Sequence, residues 1–104
     1  MARPQGKNCL TRKQVFKRIN QEREYQIQRW GVETGLGMHE IQKDAESYIL
    51  YMLRFLNQAM EKISTQPDNK EALEEIRKVT ALGVVCLEQN GCPKRSLKGV
   101  KNKR

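Results

Sequence analysis

Two groups of carboxylates are placed where they could do chemistry. Glu40 and Asp44 lie four apart beside His39, and Glu71, Glu74 and Glu75 follow within five positions of one another. Acids three or four apart share one face of a helix. Two such faces opposed would form an oxygen-rich site for a hard cation such as magnesium, which orients water and neutralises phosphate. The same acids stand where helices are expected to begin, and there a carboxylate complements the helix dipole while facing water. Arg54 is a candidate of the opposite sign. It sits between Leu53 and Phe55 on an otherwise apolar stretch, with Asn57 and Gln58 one turn on. A guanidinium in that setting either joins a structural ion pair, for instance with Glu75, or grips an anion through two hydrogen bonds. Tyr25 and Trp30 offer rings on which a base could stack, a role that competes with ordinary packing. Cysteine chemistry has less behind it. Cys9, Cys86 and Cys92, even with His39, lack the paired spacing of a zinc site, and an odd set without pairing argues against a disulfide framework. Cys86 reads as a small core residue.

Three helices must position these groups. Thr11 with Gln14 has the form of a capping box, and Val15, Phe16, Ile19, Ile27 and Trp30 recur at helical spacing. The first helix is predicted from Arg12 to Trp30, ending at Gly31. Its middle, Gln21 to Gln26, is strongly polar, so one face is expected to meet solvent or a ligand. Gly31, Gly35 and Gly37 then mark a loop with no Gly-Lys-Ser/Thr after it, so a flexible crossover is expected rather than a phosphate loop. In the second helix Ile41, Ala45, Tyr48, Met52, Phe55, Ala59 and Ile63 alternate at steps of four and three, and Ile49, Leu53, Leu56 and Met60 widen the stripe. One neighbour cannot cover a face that broad, which predicts burial on two sides, in a bundle or at a subunit contact. Ser64, Thr65 and Pro67 break this helix, and Asp68 with Glu71 suggests a second capping box. The third helix is predicted from Asn69 to Gln89, polar at first and apolar nearly all round from Val79 to Leu87. Gly83 is expected to permit close packing, and Gly91 to end the helix with positive φ ahead of Pro93.

Taken with Tyr25-Gln-Ile-Gln-Arg-Trp-Gly31, the run Lys78-Val-Thr-Ala-Leu-Gly-Val-Val85 and its Asn90-Gly91 stop resemble the small MazG-like proteins common in phages and prophages. The resemblance covers roughly residues 16–95. It implies an all-α fold of three main helices, a MazG-like bundle completed by oligomerisation. It also implies hydrolysis of nucleoside triphosphates between the α and β phosphates, by magnesium held on a Glu-Glu-x-x-Glu run and a facing Glu-x-x-Asp pair. Here Leu53, Arg54 and Asn57 fall where the first three acids belong. Glu75 keeps the fourth place and Lys78 takes the fifth. With Glu75 and Glu71 as the residual metal candidates, no cofactor is expected. Arg54, Lys78 and Asn57 are instead expected to bind phosphate oxygens without efficient hydrolysis, with Trp30 and Tyr25 as stacking candidates.

A length of 104 residues fits one domain, assigned to 11–93, with a basic arm at 1–10 and a basic tail at 94–104. Charged residues make up 31% and aromatics 6%, which leaves a three-helix monomer short of apolar area and predicts a homo-oligomer, a dimer or larger. The net charge of +8 is concentrated at the ends: residues 1–20 and 94–104 each hold six Lys and Arg and no acid. Such ends attract nucleic acid non-specifically, or are simply solvated. No apolar run spans a bilayer or forms a signal segment, so no membrane partner and a cytoplasmic location are expected. Three functions remain: binding of a nucleotide or nucleotide-derived phosphoanion, a magnesium-dependent pyrophosphohydrolase with shifted ligands, and a nucleic-acid or protein-binding module working through the basic ends.

Overall fold

The computed structural model describes residues 9–96. Most of the basic arm and tail expected at 1–10 and 94–104 lies outside the described residues. The chain runs α1 (Arg12–Trp30), β1 (Val32–Thr34), β2 (Gly37–His39), α2 (Ala45–Thr65) and α3 (Lys70–Asn90). The three-helix expectation holds, with a small hairpin added.

α1 starts at the predicted capping box. The Gln14 N–H donates to Thr11 Oγ1 at 3.1 Å, and the Thr11 N–H donates to Gln14 Oε1 at 2.8 Å. Gly31 closes the helix, its N–H donating to the Ile27 carbonyl at 2.8 Å. A Cβ at Gly31 would collide with that same carbonyl oxygen, so the position requires glycine.

The glycine-marked segment is a β-hairpin and not the flexible crossover expected. β1 and β2 pair antiparallel, Val32 opposite His39 and Thr34 opposite Gly37. The Leu36 N–H donates to Thr34 Oγ1 at 3.1 Å, and that hydroxyl donates to the Gly37 carbonyl at 3.0 Å. Gly37 turns the chain with φ of +110°. Three-residue strands are too short to display alternation, which is why the sequence reads as a loop.

α2 begins at Ala45, four residues after Ile41, where the apolar spacing opens. Asp44 caps it by accepting from the Ser47 N–H at 2.8 Å. α2 and α3 form an antiparallel pair. The Tyr48 hydroxyl donates to Gln89 Oε1 at 2.6 Å at one end, and Lys62 Nζ donates to Glu71 at 3.1 Å at the other. The expected capping box at Asp68 and Glu71 does not form. Asn69 is the N-cap without a side-chain bond, and Asp68 accepts from the Lys70 N–H at 3.1 Å. Gly91 ends α3 with φ of +106°, as anticipated.

α3 is the central helix. It packs on both α1 and α2, which do not pack on each other. The buried apolar residues are Ile19, Tyr48, Ala59, Ala72, Ala81 and Val85, three of them alanines. α1 turns inward a stripe of Ile19, Glu22, Arg23 and Gln26. The other face of the polar middle, with Gln21, Glu24 and Tyr25, is exposed as expected; Val15, Phe16 and Trp30, which share the apolar spacing, are exposed as well. An added Cβ at Gly83 would meet Met52 Sδ at 3.8 Å, ordinary contact, so close packing does not demand glycine there.

Candidate ligand cavity

Because α1 packs on α3 and β2 but not on α2, a gap remains between α1 and α2. Its α1 edge is held by charge rather than by apolar contact. Arg23 is 5% exposed and lays its planar fork on Glu40, with Nη1 donating to Oε2 at 3.0 Å and Nη2 to Oε1 at 2.5 Å. Nη2 also donates to Glu88 of α3 at 2.8 Å, and Nη1 to Gln26 Oε1 at 3.3 Å. At the neighbouring position, buried Glu22 accepts from Arg77 Nε of α3 at 2.9 Å. Burial works to lower the Arg23 pKa, but the bonds to Glu40 and Glu88 outweigh it and hold the guanidinium above its ordinary value. Its Nε is buried without a hydrogen-bond partner in the protein.

The gap is a cavity of about 490 Å³, within the range of small-molecule sites. Its floor is Leu82 and Val85 of α3. α1 supplies Gln26 and Trp30, and the segment before α2 supplies Glu40, Ile41 and Lys43. α2 supplies Tyr48, Tyr51, Arg54, Phe55 and Gln58. Four aromatic rings therefore surround two cations, while the one carboxylate in the wall is taken up by Arg23. Lys43 Nζ stands 5.9 Å from the centroid of the Tyr48 ring. Burial, and then the charge of Glu40, push the Tyr48 phenol above its ordinary pKa, so it stays a hydrogen-bond donor at neutral pH.

The residues singled out from sequence are divided. Arg54 and Trp30 line the cavity. Asn57 lines a shallower groove of about 380 Å³ on α2, to which Arg54 also contributes. Tyr25 lies outside the cavity, edge-on to Trp30 with 6.2 Å between centroids. Lys78 lines neither of the two spaces that Arg54 lines. It stands 5.8 Å from the Phe55 ring centroid and pairs with Glu75 at 3.6 Å. Glu75 is buried and also meets Lys62 at 3.7 Å, while Glu71 meets Lys62 at 3.1 Å. Arg54 forms no ion pair with Glu75, nor with any other acid among the described residues.

The two acid clusters are not brought face to face. Glu40 and Asp44 belong to the end of the helix pair where Tyr48 meets Gln89, whereas Glu71 and Glu75 belong to the end where they meet Lys62. Among the described residues no three His, Cys, Asp or Glu side chains converge as metal ligands.

Sequence reasoning missed Arg23, Gln26, Lys43, Tyr48, Tyr51 and Gln58 as parts of the site or its support. A signal was available for α1. Glu22, Arg23 and Gln26 follow Ile19 at steps of three, four and seven, the spacing of an inward face, but their polarity hid it.

Comparison with protein-family models, curated proteins and solved structures returns no match. Among the described residues no helix is long and apolar enough to cross a membrane.

Proposed function

We propose that this chain is a MazG-like scaffold that binds a nucleotide or nucleotide-derived phosphoanion in the cavity between α1 and α2, without efficient hydrolysis. One observation carries the reading: Arg54, a guanidinium with no acidic partner among the described residues, stands at the wall of an aromatic-lined cavity of about 490 Å³. An aromatic wall suits a base, and a guanidinium suits a phosphate, which it can meet with two parallel hydrogen bonds. Lys43 supplies the second cation in place of Lys78, which is engaged by Glu75. Trp30, more than half exposed, is the ring best placed to be covered by an incoming base.

What surrounds the residual acids supports the expectation of inefficient turnover. Glu71 and Glu75 face lysines, and cations at their oxygens compete with any magnesium ion.

The test is calorimetric titration of the full chain with a panel of nucleoside mono-, di- and triphosphates, alongside a pyrophosphate-release assay with magnesium. Binding without release is expected. Arg54→Ala should weaken it by on the order of 1.5–3 kcal/mol, roughly ten- to over a hundredfold, from loss of a charge-assisted contact. Arg54→Lys should recover only part of the loss, because it keeps the charge without the planar fork. Equal affinity in all three proteins would remove the cavity reading. Magnesium-dependent release abolished by Glu75→Gln would favour the shifted-ligand hydrolase instead.

A further inference from the structure

Gln26 is 2% exposed, the most deeply buried polar residue among those described, and it lines the cavity from α1. Arg23 Nη1 donates to its amide at 3.3 Å. A guanidinium only donates, so the atom it meets is the oxygen, and the amide cannot turn over without setting N–H against N–H. Nε2 is thereby held as a donor. It has no hydrogen-bond partner among the described residues, yet it is not sealed in as Arg23 Nε is. The open space beside it is the cavity. The other amide in the wall differs. Gln58, across on α2, has no hydrogen bond among the described residues and can present either end. Tyr48 has already given its proton to Gln89. Trp30 stands one turn on from Gln26 along the same face of α1, so a ring laid on Trp30 brings its edge toward the Gln26 amide.

We propose that Gln26 reads the base, and that the site takes nucleotides whose base carries a carbonyl oxygen on the edge remote from the sugar: guanine, hypoxanthine, uracil or thymine. This rests on the cavity reading above. With the phosphate at Arg54 on the α2 wall and the base against Trp30 on the α1 wall, the edge remote from the sugar is the one that reaches Gln26. At that edge guanine and thymine offer an oxygen, as do hypoxanthine and uracil, whereas adenine and cytosine offer an amino group. The Gln26 N–H donates to the oxygen. Against an amino group it meets a second donor and stays buried and unpaired, which is the situation in which a site rejects a near-isostere most strongly.

Calorimetric titration of the full chain tests this, with nucleotides paired at equal phosphate number: inosine against adenosine, and uridine against cytidine. The carbonyl member of each pair should bind about tenfold or more tightly. Gln26→Glu keeps an oxygen for Arg23, and with it the fastening of α1, but exchanges the N–H donor for a second acceptor. It should reverse the preference toward the amino member of each pair while melting no lower than wild type. A merely structural Gln26 predicts the opposite, a lowered melting temperature with the base preference unchanged. Where Gln26→Glu does not fold, the wild-type pairs still decide. Equal or tighter binding of the amino members by wild type overturns the proposal and leaves the cavity reading in place. So does a folded Gln26→Glu that keeps the wild-type preference. Binding of no nucleotide at all overturns both.

Discussion

Replacing Arg23 by methionine tests whether charge holds α1 in place. The side chain is 5% exposed and donates to Glu40 twice, to Glu88 once and to Gln26 once. Removing one partner of a fully buried ion pair costs about 3–5 kcal/mol, mostly because the other charge is left uncompensated. Here the Glu40 side chain is 21% exposed and that of Glu88 is 54% exposed, so water recovers part of the loss. Methionine also keeps most of the buried stem. The expected net loss is about 2–3 kcal/mol, a lowering of roughly 10 °C or more in the melting temperature of a domain this size. Urea unfolding followed by circular dichroism at one fixed protein concentration measures it. The two acids should then behave differently. Glu40→Gln should lose about 1–2 kcal/mol and couple strongly to Arg23→Met in a double-mutant cycle. Glu88→Gln should lose less than about 1 kcal/mol and couple weakly, as exposed pairs do. A loss under about 0.5 kcal/mol for Arg23→Met, or equal coupling to both acids, would refute the claim that the Arg23–Glu40 fork fastens α1.

Gly83→Ala should stabilise the protein by about 0.5–1 kcal/mol, since the new methyl finds only Met52 Sδ at 3.8 Å and helical glycine carries excess unfolded-state entropy; a lower urea midpoint would mean the helices cannot accept it. Thr11→Ala should lose about 1 kcal/mol by removing the hydroxyl that accepts from the Gln14 N–H, read as a drop in the urea midpoint with unchanged slope. The Ser47 backbone N–H, and then its hydroxyl, hold Asp44 below its ordinary 3.8, so its share of stability is complete above 3.8 and lost as pH falls through the lowered value. Acid unfolding of Asp44→Asn should therefore be less steep below pH 3.8 than that of wild type, because asparagine caps without titrating; superimposable acid curves would remove Asp44 from the account.

What the sequence made legible were features decided by local chemistry. The capping box at Thr11, the stop at Gly31 and the positive φ at Gly91 each depend on a few neighbouring atoms, and all three are in place. The hairpin was hidden because Val32–Thr34 and Gly37–His39 are too short for alternation to register, and the glycines between them read equally well as a loop. The orientation of α1 was hidden for another reason. Apolar periodicity points a helix inward by its hydrophobic residues, yet here the inward stripe is Ile19, Glu22, Arg23 and Gln26, and the burial of Glu22 and Arg23 is made acceptable by partners 17 to 65 positions away. Such partners become visible only in three dimensions. The candidate site was half legible: Arg54 and Trp30 stood out as residue types in unusual surroundings, while Lys78 was assigned to the wrong neighbours because its direction on α3 depends on Glu75 and Phe55.

The polar docking of α1 and the open cavity have one cause. A helix held by ion pairs, to Glu40 ahead of α2 and to Arg77 and Glu88 of α3, needs correctly placed partners rather than a continuous apolar surface, so it can stand away from α2 without sacrificing its own attachment. Had Glu22, Arg23 and Gln26 been leucines, the helix would gain by closing onto α2 and filling the gap between them. The division of labour is then consistent across the chain. α3 supplies the floor and both attachments, and the α2–α3 pair keeps its apolar surplus on the side away from α1. α1 contributes Gln26 and Trp30 to a cavity whose opposite wall it does not touch. An occupant spanning that cavity would be the only direct link between α1 and α2 among the described residues. At a concentration 100 times its dissociation constant it would add about 2.7 kcal/mol to the folded state, as much as the Arg23 fork supplies. Binding of such an occupant would therefore be tied to the fastening of one helix.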